Sequence, residues 1–139
     1  SILSLTHLQE LDLSNNSLSG PLPSDMSMLQ KLADLDLSDN SLNGTVPSSV
    51  FGINSLHRLN LHHNLFSKVA DVLKTNQALE YLDLSHNQLS GPVPRLLANL
   101  INLVTLDLSS NNITDDMGIR ITFPSLEILQ FSSCELKDF

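Results

Sequence analysis

Leucines recur along this chain in a unit that returns every 23 or 24 residues. The first copy, residues 8–18, reads L-x-x-L-x-L-x-x-N-x-L, where x is most often polar. The second leucines of the six copies are Leu11, Leu35, Leu59, Leu82, Leu106 and Leu129. A fixed period of this length predicts a solenoid, in which each copy is one coil that buries its leucines against the neighbouring coils. We therefore expect one repeat domain of about six coils over residues 1–139, numbered one to six by those leucines.

Each copy also predicts a strand and a helical turn. The two leucines of L-x-L enclose one outward residue, which is typical of a short strand, and strands that recur once per coil stack as a parallel sheet. Residues 18–23, 42–47 and 89–94 continue with leucine-x-glycine-x-apolar-proline. Because glycine permits a bend and proline can start a helix, short helices are predicted over Ser24–Leu29 and Arg95–Leu100. The predicted fold class is α/β, a curved solenoid with a parallel sheet on its concave side and short helices or 3-10 turns on its convex side.

An asparagine recurs five residues after the second leucine of the first five copies. A buried amide at this place can satisfy backbone groups of its own turn and of the neighbouring coil. We expect a structural ladder of Asn16, Asn40, Asn64, Asn87 and Asn111. In coil six the position belongs to Cys134, which predicts a small buried side chain with a weakly hydrogen-bonding sulfur rather than a reactive thiol.

Two coils and both ends of the chain depart from the pattern. Coil three has Lys68 in place of the glycine, and coil five has Asp115–Gly118 in place of the glycine–proline segment, which argues against a second strand in both coils.

A solenoid exposes its apolar interior where no polar cap covers its first and last coils. The chain is therefore expected to be an uncapped internal piece of a longer solenoid. The apolar residues expected at its exposed ends are Ile2, Leu5, Phe131, Leu136 and Phe139.

Composition and charge exclude several classes of function. Seven basic against fifteen acidic residues give a formal net charge of −8, which disfavours binding to nucleic acid or to anionic lipid. The apolar runs are too short to cross a membrane, since Asn99 and Asn102 interrupt the richest one, Leu96 to Val104. The single cysteine rules out an intrachain disulfide and a multi-cysteine zinc site. No membrane contact is expected within this segment.

Residues 8–32 match almost position for position the pattern L-x-x-L-x-L-x-x-N-x-L-x-G-x-I-P-x-x-L-x-x-L, and thereby resemble plant-type leucine-rich repeats. The resemblance covers essentially the whole chain. Residues 40–51 and 123–136 further resemble the ectodomains of plant receptor-like proteins, which carry repeats outside the cell, one membrane helix and almost no cytoplasmic part. The resemblance implies a recognition module within the extracellular ligand-sensing domain of an immune or developmental receptor-like protein. It implies a protein or peptide ligand, allows for a co-receptor, and places any membrane anchor outside this segment.

Two alternatives remain open at this stage. The chain can be a spacer that sets the curvature of a longer solenoid while other coils bind the ligand. It can also belong to a secreted protein similar to plant polygalacturonase inhibitors, which share the same coil and block an enzyme through the concave face. A cysteine cap without a membrane helix would favour the inhibitor, and a spanning helix after an acidic stretch would favour the receptor.

The outward residues of neighbouring strands predict where a ligand binds. Most of these positions carry a repetitive background of Asp and Ser, which coil three interrupts with a cation and two imidazoles. Arg and Tyr are enriched among residues that dominate binding energy, and Arg58 is placed to pair with Asp34 or to lie against Tyr81. The predicted contact patch comprises Asp34, Asp36, Arg58, Asn60, His62, His63, Tyr81, Asp83 and His86. The competing interpretation is that these residues vary freely at solvated positions.

Chemistry at this face is not expected. A metal site at His63 and His86, which occupy equivalent places on neighbouring strands, is disfavoured because the strip offers no enclosing pocket for three or four ligands. Adjacent Ser, His and Asp residues reflect the repeat and not a triad, which needs an oriented base and an oxyanion hole. We therefore expect no enzymatic activity, no metal and no cofactor.

Three sequons, which begin at Asn15, Asn43 and Asn112, are candidates for glycosylation if the chain is secreted. About as many would arise by chance in so Asn- and Ser-rich a chain, so their number carries no weight. Asn43 is the first candidate because it lies beside a glycine turn.

Overall fold

The computed structural model describes residues 1–71, 78–93, 95–114 and 122–136. Three predicted features, namely Pro94, the segment Asp115–Gly118 and Phe139, lie outside these residues. The described part contains eleven strands, named in chain order: β1 (Glu10–Asp12), β2 (Ser19–Pro21), β3 (Asp34–Asp36), β4 (Ser41–Val46), β5 (Arg58–Asn60), β6 (Leu65–Val69), β7 (Tyr81–Asp83), β8 (Ser90–Pro92), β9 (Thr105–Asp107), β10 (Asn112–Thr114) and β11 (Ile128–Gln130). Each odd-numbered strand except β11 is followed by one even-numbered strand of the same coil.

The odd-numbered strands form one parallel sheet of six strands, in the order β1-β3-β5-β7-β9-β11, here called the main sheet. The strands pair in register, so that Leu11 stands opposite Leu35 and the same alignment of second leucines continues to Leu129. In the four central strands these leucines are fully buried, because the alternation directs them into one core that runs along the coils. The predicted solenoid with a parallel sheet is confirmed.

The even-numbered strands form two smaller parallel sheets, β2-β4-β6 and β8-β10. The expectation that coils three and five lack a second strand is wrong, because β6 and β10 both form. In coil three the buried Phe66 lies opposite Gly44, and pairing resumes between Thr45 and Lys68 after a register shift. Backbone pairing between coils therefore does not require the glycine and proline of the repeat pattern.

Helical structure is short and present in only some of the described coils. It comprises the α-helix α1 (Ser48–Phe51) and two 3-10 helices, Ile2–Ser4 and Arg95–Asn99. The helix predicted over Arg95–Leu100 is thus confirmed, and the helix predicted over Ser24–Leu29 is wrong, since only a bend and a turn form there. In that segment the Asp25 carboxylate accepts hydrogen bonds from the amide and the hydroxyl of Ser27, which compete with helical bonding. None of the helices in the described ranges has the length and apolar character of a membrane span.

The ladder asparagines tie each coil to the preceding one. The side-chain amide of Asn64 donates to the Leu37 carbonyl of coil two at 2.9 Å and to the Leu61 carbonyl of its own coil at 3.2 Å. Its side-chain oxygen accepts from the Leu42 amide at 3.0 Å. The same arrangement recurs at Asn40, Asn87 and Asn111. One side chain therefore satisfies three backbone groups that the turn itself leaves unpaired.

The two ends of the ladder differ from its middle. Asn16 is exposed and donates to the Leu13 and Ser14 carbonyls of its own coil. In coil six the half-buried Cys134 donates its thiol to the Leu108 carbonyl of coil five at 3.3 Å, so its sulfur stands where the amide stands elsewhere. Among the apolar residues expected at the ends, Ile2 and Leu5 are exposed, whereas Phe131 and Leu136 are half-buried.

Candidate functional site

A left-handed turn follows each strand of the main sheet. The residue four places after the second leucine has a positive φ, between 51° and 57°, in all six coils: Asn15, Asp39, His63, His86, Ser110 and Ser133. Few side chains adopt this region, and Asn, Asp and His are the residue types enriched there. The Asn, Asp and His residues at this position, of which Asn15 and Asp39 come first, are the feature of the sequence that could have indicated the turn. The turn fixes the backbone from which two of the candidate histidines project.

The Asp and Ser background of this face holds the strand ends in place. The Asp36 carboxylate accepts hydrogen bonds from the amide of Ser38 at 3.0 Å and from its hydroxyl at 2.6 Å. The same two bonds recur between Asp12 and Ser14 and between Asp83 and Ser85. The Ser14 bonds lower the pKa of the Asp12 carboxyl. This background therefore has a structural cause and does not by itself indicate a ligand.

Arg58 on β5 is held by two carboxylates of β3. Its guanidinium lies 3.0 Å from the Asp34 carboxylate and 3.3 Å from that of Asp36, which also accepts a hydrogen bond from Asn60 at 3.0 Å. Burial opposes the charge of Asp36, but the hydrogen bonds from Ser38, Asn60 and Arg58 outweigh it and lower the pKa of its carboxyl. Burial likewise opposes the charge of Arg58, and the two carboxylates reverse that effect and raise its pKa. The three residues therefore form one group of paired charges that joins β3 to β5.

Tyr81 on β7 completes this group. The Arg58 guanidinium lies 5.0 Å from the centre of the Tyr81 ring, within the range of a cation–π contact. The Tyr81 hydroxyl donates to the Asp83 carboxylate at 3.4 Å. Burial and the charge of Asp83 raise the pKa of the Tyr81 phenol, so the hydroxyl remains a donor. The planar Arg58 guanidinium and the Tyr81 ring are therefore held against each other by their contacts with Asp34, Asp36 and Asp83. This pair of side chains is here called the Arg–Tyr platform.

The histidines form a second group beside the left-handed turns. The rings of His63 and His86 stack with centroids 4.1 Å apart and an interplanar angle of 8°. The Nδ1 atoms of His62 and His63 lie 2.7 Å apart. Asp39, which was not among the residues predicted for the patch, faces both, at 3.8 Å from His62 Nε2 and 3.7 Å from His63 Nδ1.

The structure differs from the prediction at two of the nine patch residues. Asn60 is 5% exposed and Asp83 is 9% exposed, so the expectation that both present themselves at the surface is wrong. Asn60 donates to Asp36, and Asp83 binds Ser85 and the Tyr81 hydroxyl. They therefore support the surface from beneath, while Arg58, Tyr81 and the histidines remain accessible in part.

We expect Asp36→Asn to remove an acid-sensitive part of the stability. The pKa of Asp36 is lowered in the folded chain, so its charged form stabilises the fold above the unfolded pKa of about 3.9, and this contribution is lost as the pH falls through the folded value. At neutral pH the variant should lose about 1 kcal/mol of the free energy of unfolding, because its bonds are no longer charge-assisted. Urea unfolding of both chains, from neutral pH to about pH 3, measures the difference.

Asp12→Asn is the matched control, because Asp12 makes the same bonds to Ser14 at an exposed place. Its loss at neutral pH should be smaller than that of Asp36→Asn. A difference between the Asp36 variant and the parent that stays constant with pH would contradict the assignment.

Comparisons with known proteins agree with this architecture. No curated protein matches this sequence. The family described as Leucine rich repeat matches residues 6–66 and 55–113. Among solved structures, the plant peptide hormone receptor RGFR1 in complex with RGF2 is 31% identical, with a TM-score of 0.88; the match covers 97% of this chain and 22% of that one.

Two further structures match over nearly the whole chain. The ectodomain of the plant membrane receptor kinase GASSHO1/SCHENGEN3 from Arabidopsis thaliana, in complex with CASPARIAN STRIP INTEGRITY FACTOR 2, is 36% identical, with a TM-score of 0.82, over 97% of this chain and 17% of that one. A plant ice-binding protein is 35% identical, with a TM-score of 0.83, over 97% of this chain and 44% of that one.

The family match and the coil geometry together define the class: the chain belongs to the leucine-rich repeat family. The likeness to plant receptor ectodomains makes it a plant-type member of that family. The chain spans about a fifth of the length of the two receptors, 22% and 17%. Since an ice-binding protein shares the same coil, the fold alone does not determine what is bound.

Proposed function

We propose that this chain is part of the extracellular ligand-sensing domain of a plant cell-surface receptor-like protein. It binds a protein or peptide through the main sheet at coils two to four, and it catalyses no reaction. The likeness to receptor ectodomains that were solved with their ligands supports a ligand-binding module.

The Arg–Tyr platform is the observation that carries this proposal. Tyr and Arg are the residue types that most often dominate the energy of an interface. Arg58 is held by Asp34 and Asp36 and lies against the Tyr81 ring, so its side chain is already ordered before a ligand arrives. When a side chain is already ordered, binding does not have to immobilise it, which saves about 0.5–1.5 kcal/mol of conformational entropy for each such residue. The platform is thus better suited to binding than a solvated arginine would be.

The charge around the platform indicates how a ligand would use it. Two carboxylates of β3 accompany the one guanidinium, and the chain as a whole carries a formal charge of −8. With one positive and two negative formal charges, the group disfavours an anionic ligand. We expect the ligand to stack on the Tyr81 ring and to accept hydrogen bonds from Arg58, with cationic or neutral groups facing the flanking carboxylates.

Arg58→Gln and Tyr81→Ala should each weaken ligand binding about 30-fold, which corresponds to about 2 kcal/mol at a dominant interface residue. Glutamine keeps a shorter hydrogen-bonding side chain without the cation, and alanine removes the ring. The probes are a panel of synthetic secreted plant peptides, which include RGF2 and CASPARIAN STRIP INTEGRITY FACTOR 2. Titration calorimetry of the parent and of each variant measures the dissociation constants.

Lys31→Gln is the matched control, since it removes one positive charge from an exposed residue outside the main sheet. It should leave every affinity unchanged. If no peptide binds any of the chains, or if all chains bind equally, the platform is not a contact site and the spacer interpretation is favoured.

An extracellular location would expose the sequons to glycosylation. Asn15, Asn43 and Asn112 all have exposed side chains. Asn43 lies in β4 directly before Gly44, whose φ of 78° turns the backbone in a way that suits glycine. Its position in one of the smaller sheets leaves the platform on the main sheet free for a ligand.

A further inference from the structure

We propose that Asp39, His62 and His63 form a binding site for a divalent transition-metal ion, with Zn²⁺ as its representative. The sequence disfavoured a metal site at His63 and His86 because the strip offers no enclosing pocket for three or four ligands. The structure supplies a different set, in which one ligand atom from each of Asp39, His62 and His63 lies within 4.8 Å of the other two. The site lies in the turns that follow β3 and β5 and includes neither Arg58 nor Tyr81. It therefore does not depend on the proposed function.

The backbone brings these three side chains together. Asp39 lies in the turn after β3, and the two histidines lie in the turn after β5, which is the next strand of the main sheet. The Asp39 amide donates to the His62 carbonyl at 3.0 Å, which fixes the turn of coil two against the turn of coil three. Asp39 and His63 both have left-handed backbones, with φ of 53° and 51°. The convergence is therefore a property of the paired turns and not of chance side-chain rotation alone.

Two of the three distances between ligand atoms are close to those that a tetrahedral ion requires. Metal–ligand bonds of about 2.0 Å separate neighbouring ligand atoms of a tetrahedral site by about 3.3 Å. The Nδ1 atoms of His62 and His63 are 2.7 Å apart, and His63 Nδ1 lies 3.7 Å from the Asp39 carboxylate. The His62 nitrogen that lies 3.8 Å from Asp39 is Nε2, so the His62 ring must also turn for one of its nitrogens to face both partners. The first pair must separate and the second must approach, each by about half an ångström. Small side-chain rotations supply this, since all three side chains are partly exposed.

His86 restrains the site without being one of its ligands. Its ring stacks on that of His63 at 4.1 Å and nearly parallel, at 8°. This contact limits the rotation of the His63 ring and so keeps Nδ1 directed at His62 and Asp39. An ordered ligand loses less conformational freedom when the ion binds.

The donor set selects the class of ion. Two imidazole nitrogens and one carboxylate oxygen suit Zn²⁺ and its neighbours, whereas Ca²⁺ and Mg²⁺ prefer sites built from oxygen alone. The carboxylate and the net charge of −8 attract a cation to the two imidazoles. Three protein ligands leave the fourth tetrahedral position to water or to a donor atom of a bound partner.

Titration of this chain with Zn²⁺ alone, in a buffer that does not chelate it, tests the site. Calorimetry should give one ion per chain, and an excess of Mg²⁺ should not compete. Asp39→Asn and His63→Asn should each weaken Zn²⁺ binding by more than the roughly tenfold that loss of an outer-shell partner costs. Bound Co²⁺ should give the visible absorption of a tetrahedral complex in the parent and lose it in both variants.

His57→Asn is the matched control, because His57 belongs to the same coil and bonds the Ser55 carbonyl through Nδ1 at 2.7 Å. It should bind Zn²⁺ as the parent does. A measurement on the unaltered chain guards against variants that fail to fold: Zn²⁺ should shift the imidazole NMR signals of His62 and His63 and leave those of His7 and His57 in place. The proposal is overturned if binding does not saturate at one ion, or if His57→Asn weakens it as much as His63→Asn does.

Discussion

Phe66→Ala should lower the free energy of unfolding by about 3–5 kcal/mol, which is among the largest changes expected for a single substitution in this chain. Phe66 has no exposed surface and lies in β6, which pairs with β4 of the preceding coil. Its amide donates to the ladder residue Asn87 of the next coil at 3.0 Å. The surrounding backbone is thus tied on both sides and cannot close the cavity left by the ring. Urea unfolding followed by circular dichroism measures the loss.

The neighbouring residue on the same strand supplies the control. Leu65 is 42% exposed, so Leu65→Ala removes an apolar side chain of the same strand without opening a cavity. Its cost should stay below about 1 kcal/mol. Equal losses in the two variants would show that β6 is not packed as described.

Asn64→Ala should cost about 3 kcal/mol of the free energy of unfolding. Asn64 is 5% exposed and bonds the Leu37 and Leu61 carbonyls and the Leu42 amide. Alanine leaves these buried backbone groups without their partner, at about 1–3 kcal/mol for each group that water cannot reach. The same unfolding measurement gives the result.

The chain itself indicates how to rescue this variant. Cys134 occupies the ladder position of coil six and donates its thiol to the coil-five carbonyl of Leu108. Asn64→Cys should therefore recover part of what Asn64→Ala loses, although sulfur is a weak donor. Asn16→Ala, at the exposed end of the ladder, should cost less than Asn64→Ala. The ladder would have no structural role if all three variants were as stable as the parent.

Features that every coil repeats could be predicted from the sequence. The period of the leucines predicted the parallel main sheet, because only an in-register stack buries Leu35, Leu59 and Leu82 together. The ladder was predictable for the same reason, since an amide that recurs beside a buried strand end needs backbone partners. In both cases one physical requirement acts on six copies, so that the pattern stands out from the variation of single residues.

Features that belong to one coil were harder to predict. Strand β6 forms without the glycine of the pattern, because inter-coil backbone bonds and the burial of Phe66 suffice. The segment Ser24–Leu29 lacks a helix, because the bonds between Asp25 and Ser27 take its place. Local competition of this kind is decided by a few hydrogen bonds, which the repeat pattern does not encode.

The candidate site was predictable in part. The sequence offered Asp34 or Tyr81 as partners of Arg58, and the structure shows that both contacts form at once. Asp39 was left out of the predicted patch because the distance between Asp39 and His63 depends on the left-handed turn, which strand alternation does not describe. The binding role of the patch remains a prediction, because it depends on a partner.

The capping of strand ends by Asp and Ser also bears on how such a surface can change over evolutionary time. Within each L-x-L segment the leucines fill the core, and the enclosed Asp often secures the turn through a Ser, as Asp12 does with Ser14. The residue before the second leucine carries no such repeated duty, and from coil one to coil six it is Glu10, Asp34, Arg58, Tyr81, Thr105 and Ile128. Substitutions at the position before the second leucine should therefore have little effect on folding. A lineage can in this way change what the face contacts while the coil itself stays the same.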